Sequence, residues 1–162
     1  MKKYSVYRFQ WICNCNMWLI KVIQIIRRNV LKTYLSRLST QASGRYHAKT
    51  DIDVATLFVD TSRLISELDK IRAENALWGR LLSGTNYMVV EYESFVANKE
   101  AESRRMLDFL GVNRYEVLTS TNRKINPDDS SLLVTNYSDM EAVLQGTRYE
   151  YYLLDDNEHK RV

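Results

Sequence analysis

Leu19-Ile20-Lys21-Val22-Ile23-Gln24-Ile25-Ile26 is β-branched and almost continuously apolar. A strand buried on both faces of a parallel sheet has this pattern. Asn29 then offers a helix N-cap, and Leu31, Tyr34, Leu35 and Leu38 recur at helical spacing, so the pattern predicts an amphipathic helix to about Ser43, closed by Gly44. A strand followed at once by such a helix is the βα unit of a doubly wound sheet. Residues 45–59 read as loop with a short extended piece from Ala55 to Val59. Asp60 or Thr61 caps a second helix from about Ser62 to Leu82, with an apolar stripe of Leu64, Leu68, Ile71, Trp78 and Leu82, and Gly84 ends it. Tyr87 to Val90 reads as a short buried strand. Asn98 caps a third helix whose face is Met106, Leu107 and Leu110, with Gly111 just past its end. Thr119 to Ser130 is polar loop containing Pro127. A final helical region covers Ser131 to Leu153, broken near Asn136 and Gly146.

No repeat and no linker interrupts this order, and 162 residues at 45% hydrophobic suffice for one compact domain. Residues 1–18 mix aromatics, Cys and Asn at no clear period and form an atypical N-terminal segment. The domain proper is expected over residues 19–154, with a polar tail at 155–162. Cys13 and Cys15 are too close for an easy disulfide and lack a metal-ligand partner. Free thiols point to a reducing compartment, hence a cytoplasmic location. Trp11 to Ile26 is interrupted by Asn14, Asn16, Lys21 and Gln24 and falls short of the ~20 apolar residues of a membrane span.

The formal net charge of +3 hides an asymmetry, because residues 1–50 contain ten Lys or Arg and no Asp or Glu. Such a region repels itself unless something anionic lies against it, which points to a phosphate-bearing ligand. A transit peptide has a similar composition, but an apolar strand pattern runs through the middle of this one. Few basic residues interleave with Tyr4, Tyr7, Phe9 and Trp11, which argues against nucleic acid as the partner.

The sharpest chemical signal is Arg27-Arg28-Asn29 followed by Ser36. Ligands of open α/β sheets sit at the C-terminal ends of strands, and the following helix points free N–H groups there. Ser36 comes seven residues after Asn29, nearly the same face of a helix and roughly 10 Å along its axis. A guanidinium fork and a rotatable hydroxyl suit a phosphate monoester. The same residues also fit a solvated strand end and an ordinary helix surface.

Lys21 to Asn29 with Ser36 resembles the 3′-phosphate-binding segment of sulfotransferases that use 3′-phosphoadenosine 5′-phosphosulfate (PAPS): an apolar strand, Arg-Asn, and a Ser eight residues after the Arg. Val89 to Phe95 and Glu102 to Gly111 are similar to that family's strand, Tyr-Glu-Asp-Leu turn and Phe-Leu-Gly helix, with Ser94 and Phe95 in place of Asp and Leu. Arg123 to Pro127, with Asn136-Tyr137 and Leu144 to Thr147, resembles the tail of bacterial members. The resemblance implies an incomplete three-layer α/β fold of the P-loop-NTPase-like sulfotransferase type. It implies that Arg28 and Ser36, with Arg27 as substitute, hold the cofactor's 3′-phosphate. Tyr92 would lie near the adenine, and Arg123 or Lys124 would close over the phosphates. The implied activity is transfer of a sulfuryl group to a hydroxyl- or amine-bearing acceptor.

Such transfer needs backbone N–H groups and a cation aimed at the developing charge. The family supplies them from an early glycine-bearing loop, yet the first glycine here is Gly44. His47 and His159 fall outside the expected position of a base. The expectation is a chain that keeps the 3′-phosphate side of the site and lacks the phosphosulfate side, with activity of its own in doubt. The alternatives are a non-catalytic nucleotide or anion binder, and a helical interaction module whose βα start is incidental. A partial sheet has an unpaired edge, from which self-association is expected.

Overall fold

The computed structural model describes residues 20–43, 56–112, 127 and 129–153. The elements in order are β1 (Lys21–Ile26), α1 (Val30–Ser43), α2 (Thr61–Leu82), β2 (Asn86–Glu91), α3 (Tyr92–Ala97), α4 (Lys99–Leu110) and α5 (Tyr137–Leu144), with a single 3₁₀ turn at Ser130–Leu132 before α5. The chain is mixed α/β, and β1 and β2 form a two-stranded parallel sheet. It divides into two compact units, Met1–Ile26 with Ala76–Leu118, and Arg27–Asn75 with Thr119–Val162.

In the first unit, β1 and β2 pair from Lys21↔Asn86 to Ile26↔Glu91. The pleat sends alternate side chains to opposite faces. On one face Lys21 Nζ stands 5.9 Å from the Phe109 ring of α4, a helix that packs against β1. On the other, the Tyr87 hydroxyl donates to the Gln24 side chain and comes within 4.0 Å of where a Cβ on Gly79 of α2 would stand. The strand expected to be buried on both faces is corrected at Ile25, which is 61% exposed while its register partner Val90 is wholly buried. In a two-stranded sheet each strand is an edge, so no third strand flanks β1 to shield Ile25 among the described residues. Arg105 Nη2 donates to the Val89 carbonyl of β2 at 2.5 Å.

Both ends of α4 follow from local chemistry. Asn98 accepts the Ala101 N–H at 3.1 Å. Gly111 adopts φ 77°, which a side chain would strain, and the Val112 N–H then closes on the Leu107 carbonyl at 2.9 Å. The buried stripe of α4 is Ser103 and Met106, whereas Leu110 is exposed. Its last turn engages the sheet through Phe109 on Lys21 instead. Trp78 is also exposed and Leu82 only half-buried, so the expected stripe of α2 stops at Ile71. From Ala76 onward that helix belongs to the first unit, whereas Leu64, Leu68 and Ile71 belong to the second.

The second unit holds that core. Val30, Leu31, Tyr34 and Leu35 of α1 cluster with Leu64, Leu68 and Ile71 of α2 and with Met140 and Leu144 of α5. Asp60 caps α2, its carboxylate accepting the Ser62 N–H at 3.1 Å. Leu57 and Val134 form a parallel bridge, with Leu57 N–H donating to Leu133 O at 2.7 Å and Thr135 N–H to Leu57 O at 2.8 Å. The short extended piece expected before Val59 is this bridge. The region expected to be helical after Ser131 is a 3₁₀ turn, α5, a turn at Gly146 with φ 71°, and one helical turn over residues 151–153. Among the described residues no helix is long and apolar enough to cross a membrane.

Candidate functional site

The residues between β1 and α1 are fixed by Asn29, only 2% exposed. Its Oδ1 accepts the Lys32 N–H at 3.0 Å, the N-cap bond the sequence implied. Its Nδ2 donates to the Tyr152 carbonyl at 3.3 Å, 123 positions away. Asn29 therefore joins the start of α1 to the end of the described chain.

Arg28, just before this cap, is exposed, and Arg27 is half-buried. Ser36 is exposed on α1, opposite the face that Leu31 and Leu35 send into the core. Arg37 beside it is held by Glu74 of α2 at 3.0 Å. Arg28 and Ser36 thus share one unit and both reach solvent. Tyr92 opens α3 in the first unit and is half-buried. Lys124, Arg123, His47, His159 and both cysteines lie outside the described residues. As a donor set, Arg28 and Ser36 fit a phosphate monoester, since residues 27–43 carry four basic side chains and no carboxylate.

A second cluster, centred on Asp69, has no local signal in the sequence, because its members are about 80 positions apart. One carboxylate oxygen of Asp69 accepts from both the Tyr149 hydroxyl and the Arg148 guanidinium. The Tyr149 ring is wholly buried, with the guanidinium carbons of Arg148 and Arg72 at 5.2 and 5.9 Å from its centre. The Tyr149 hydrogen bond, then that of Arg148, holds the Asp69 carboxyl below the usual carboxylate range. Burial, and then the Asp69 hydrogen bond, pushes the Tyr149 phenol up.

A lowered folded-state value means that the unfolded chain, titrating at about 3.9, takes up protons first as pH falls. The contribution of Asp69 to stability is therefore present above about pH 4 and is lost as pH drops through the folded value. Denaturant midpoints measured from neutral pH down to about pH 2.5 should fall more steeply for the wild type than for Asp69→Asn. Parallel curves would show that the cluster does not couple folding to this proton.

In the first unit a depression of about 440 Å³ is lined by Asn98, Glu100, Ala101, Arg104, Arg105 and Asp108. Arg104 pairs with Glu100 and Arg105 with Glu102 within α4, so this is a self-neutralised helix face. The described residues contain no group of His, Cys, Asp and Glu able to hold a metal ion.

The described fold is thus a small mixed α/β arrangement in which Arg28, before the first helix, and Ser36, within it, are each exposed. In comparisons with known proteins the chain matches no family model, no curated protein and no solved structure.

Proposed function

We propose that this chain is a nucleotide-binding protein of the PAPS-dependent sulfotransferase type. Arg28 and Ser36 hold the 3′-phosphate of the cofactor, and Arg27 lies beside them in sequence. The observation that carries the reading is local to α1. Exposed Arg28 immediately precedes the buried Asn29 cap, and exposed Ser36 follows two turns later on the face that the core does not use. A permanently charged fork and a hydroxyl in such positions can meet one phosphate. The parallel pairing of β1 with β2 also supports it, because an incidental βα start would not require these strands to be neighbours. Lys124 enters this reading by family resemblance alone, as a phosphate contact.

When bound, PAPS supplies the transferable sulfuryl group. Nothing among the described residues provides the loop that would bind its 5′-phosphosulfate, so the proposal covers the 3′-phosphate side, with a hydroxyl- or amine-bearing acceptor. Isothermal titration of the full chain with adenosine 3′,5′-bisphosphate should detect binding. Arg28→Ala and Ser36→Ala should each weaken it, the arginine variant by roughly ten- to hundredfold, as loss of a charge-assisted hydrogen bond implies. Affinity unchanged in both variants would remove the assignment. A radiolabelled sulfate transfer assay against sugars and phenols separates an enzyme from a non-catalytic binder, with weak or no turnover expected from the chain alone.

A further inference from the structure

Tyr151 is 64% exposed, yet its ring is held by aromatic neighbours. Its ring meets that of Tyr152 edge to face, with centroids 5.7 Å apart at 61°. Tyr152 in turn stacks on Tyr149 at 6.1 Å and 25°. Tyr149 is wholly buried and tied to Asp69 through its hydroxyl. The exposed ring is thus the outer end of a row of three whose inner end is anchored in the core. A flat apolar surface fixed in this way loses little conformational freedom when something stacks on it.

Its position is as informative as its exposure. The carbonyl of Tyr152, the next residue, accepts the Asn29 side chain, and Asn29 follows Arg28 directly. The three-ring row is therefore pinned, through a buried side chain, to the residue beside the exposed guanidinium. All of these groups belong to the second unit. A ligand that offers both a flat π-face and an anion is a nucleotide. Stacking of a base on an aromatic side chain tolerates any base, because every base has a π-face.

We propose that Tyr151 is a stacking platform for the base of the nucleotide whose phosphate Arg28 and Ser36 hold. This rests on the phosphate-binding reading above and adds a base-contacting residue in the C-terminal stretch, outside every motif that carried the family resemblance.

The full chain would be titrated with adenosine 3′,5′-bisphosphate and, separately, with inorganic phosphate. Tyr151→Ala should weaken the bisphosphate roughly 5- to 100-fold and leave inorganic phosphate unchanged. Tyr151→Phe should bind the bisphosphate as the wild type does, since the ring and not the hydroxyl is required. Arg28→Ala should weaken both ligands. Near-ultraviolet circular dichroism establishes that each variant keeps its fold, which the exposure of Tyr151 favours. If Tyr151→Ala binds the bisphosphate like the wild type while Arg28→Ala loses it, the platform is overturned and the phosphate site stands. If the wild type binds neither ligand, or Arg28→Ala changes nothing, the phosphate site falls and the platform with it.

Discussion

Leu68→Ala should lower the unfolding free energy of the second unit by about 2–5 kcal/mol, the range for deleting a buried leucine side chain and leaving a cavity. Leu68 is wholly buried and lies on the α2 face that also carries Leu64 and Ile71. That face meets Leu31 and Leu35 of α1 and Met140 and Leu144 of α5 in one cluster. Three helices converge there, so the surroundings have little room to collapse into the hole. Leu81 supplies the control. It lies in the same helix but is 58% exposed, and its replacement by Ala should change stability by about 0.5 kcal/mol or less. Equal losses for the two variants in urea denaturation would mean that the core has been located wrongly.

Asn136→Ala should cost about 2–6 kcal/mol, for a different reason. The Asn136 side-chain amide accepts the Val59 N–H at 2.9 Å and donates to the Val59 carbonyl at 2.9 Å. It thus pairs with Val59 much as a neighbouring strand would, just beyond the Leu57–Val134 bridge. Val59 is wholly buried, so removing the amide leaves a donor and an acceptor away from water, each costing about 1–3 kcal/mol. Asn136→Asp puts a carboxylate oxygen where the amide N–H met the Val59 carbonyl, so at neutral pH its loss should be at least that of Asn136→Ala. An Asp variant as stable as the wild type in thermal denaturation would rule out the two-bond account.

Features decided within a few residues were legible in the sequence. The caps at Asn29, Asp60 and Asn98 and the left-handed Gly111 are three- or four-residue devices, and the structure has all of them. The one missed helix explains itself. The six residues of α3 begin after Glu91, which makes no side-chain cap bond, so Tyr92 to Ala97 carried no start signal and read as a turn. Choices made between distant residues were not legible. Nothing in the sequence tells that Asn29 would bind the Tyr152 carbonyl, or that Asp69 would meet Tyr149, 80 positions away. The exposure of Ile25 and Trp78 belongs to the same category, because a periodic apolar pattern shows which face can be buried and not what covers it. For the candidate site, the helix start and the face of Ser36 could be read in advance. The ring row ending in Tyr151 could not, since it depends on how residues 149–152 are anchored from α1 and α2.

The parallel sheet has a consequence for how the chain is made. Gln24 and Tyr87, which bond across it, are 63 positions apart. At roughly 5–20 residues per second of synthesis, the first strand leaves the ribosome about 3–13 seconds before its mate exists. Throughout that interval a sticky β-branched segment is solvated with no partner, and pairing across so long a loop is slow once begun. Nascent chains stalled between the two strands should therefore recruit chaperone holdases at the Lys21–Ile26 segment and release them only after Glu91 has emerged.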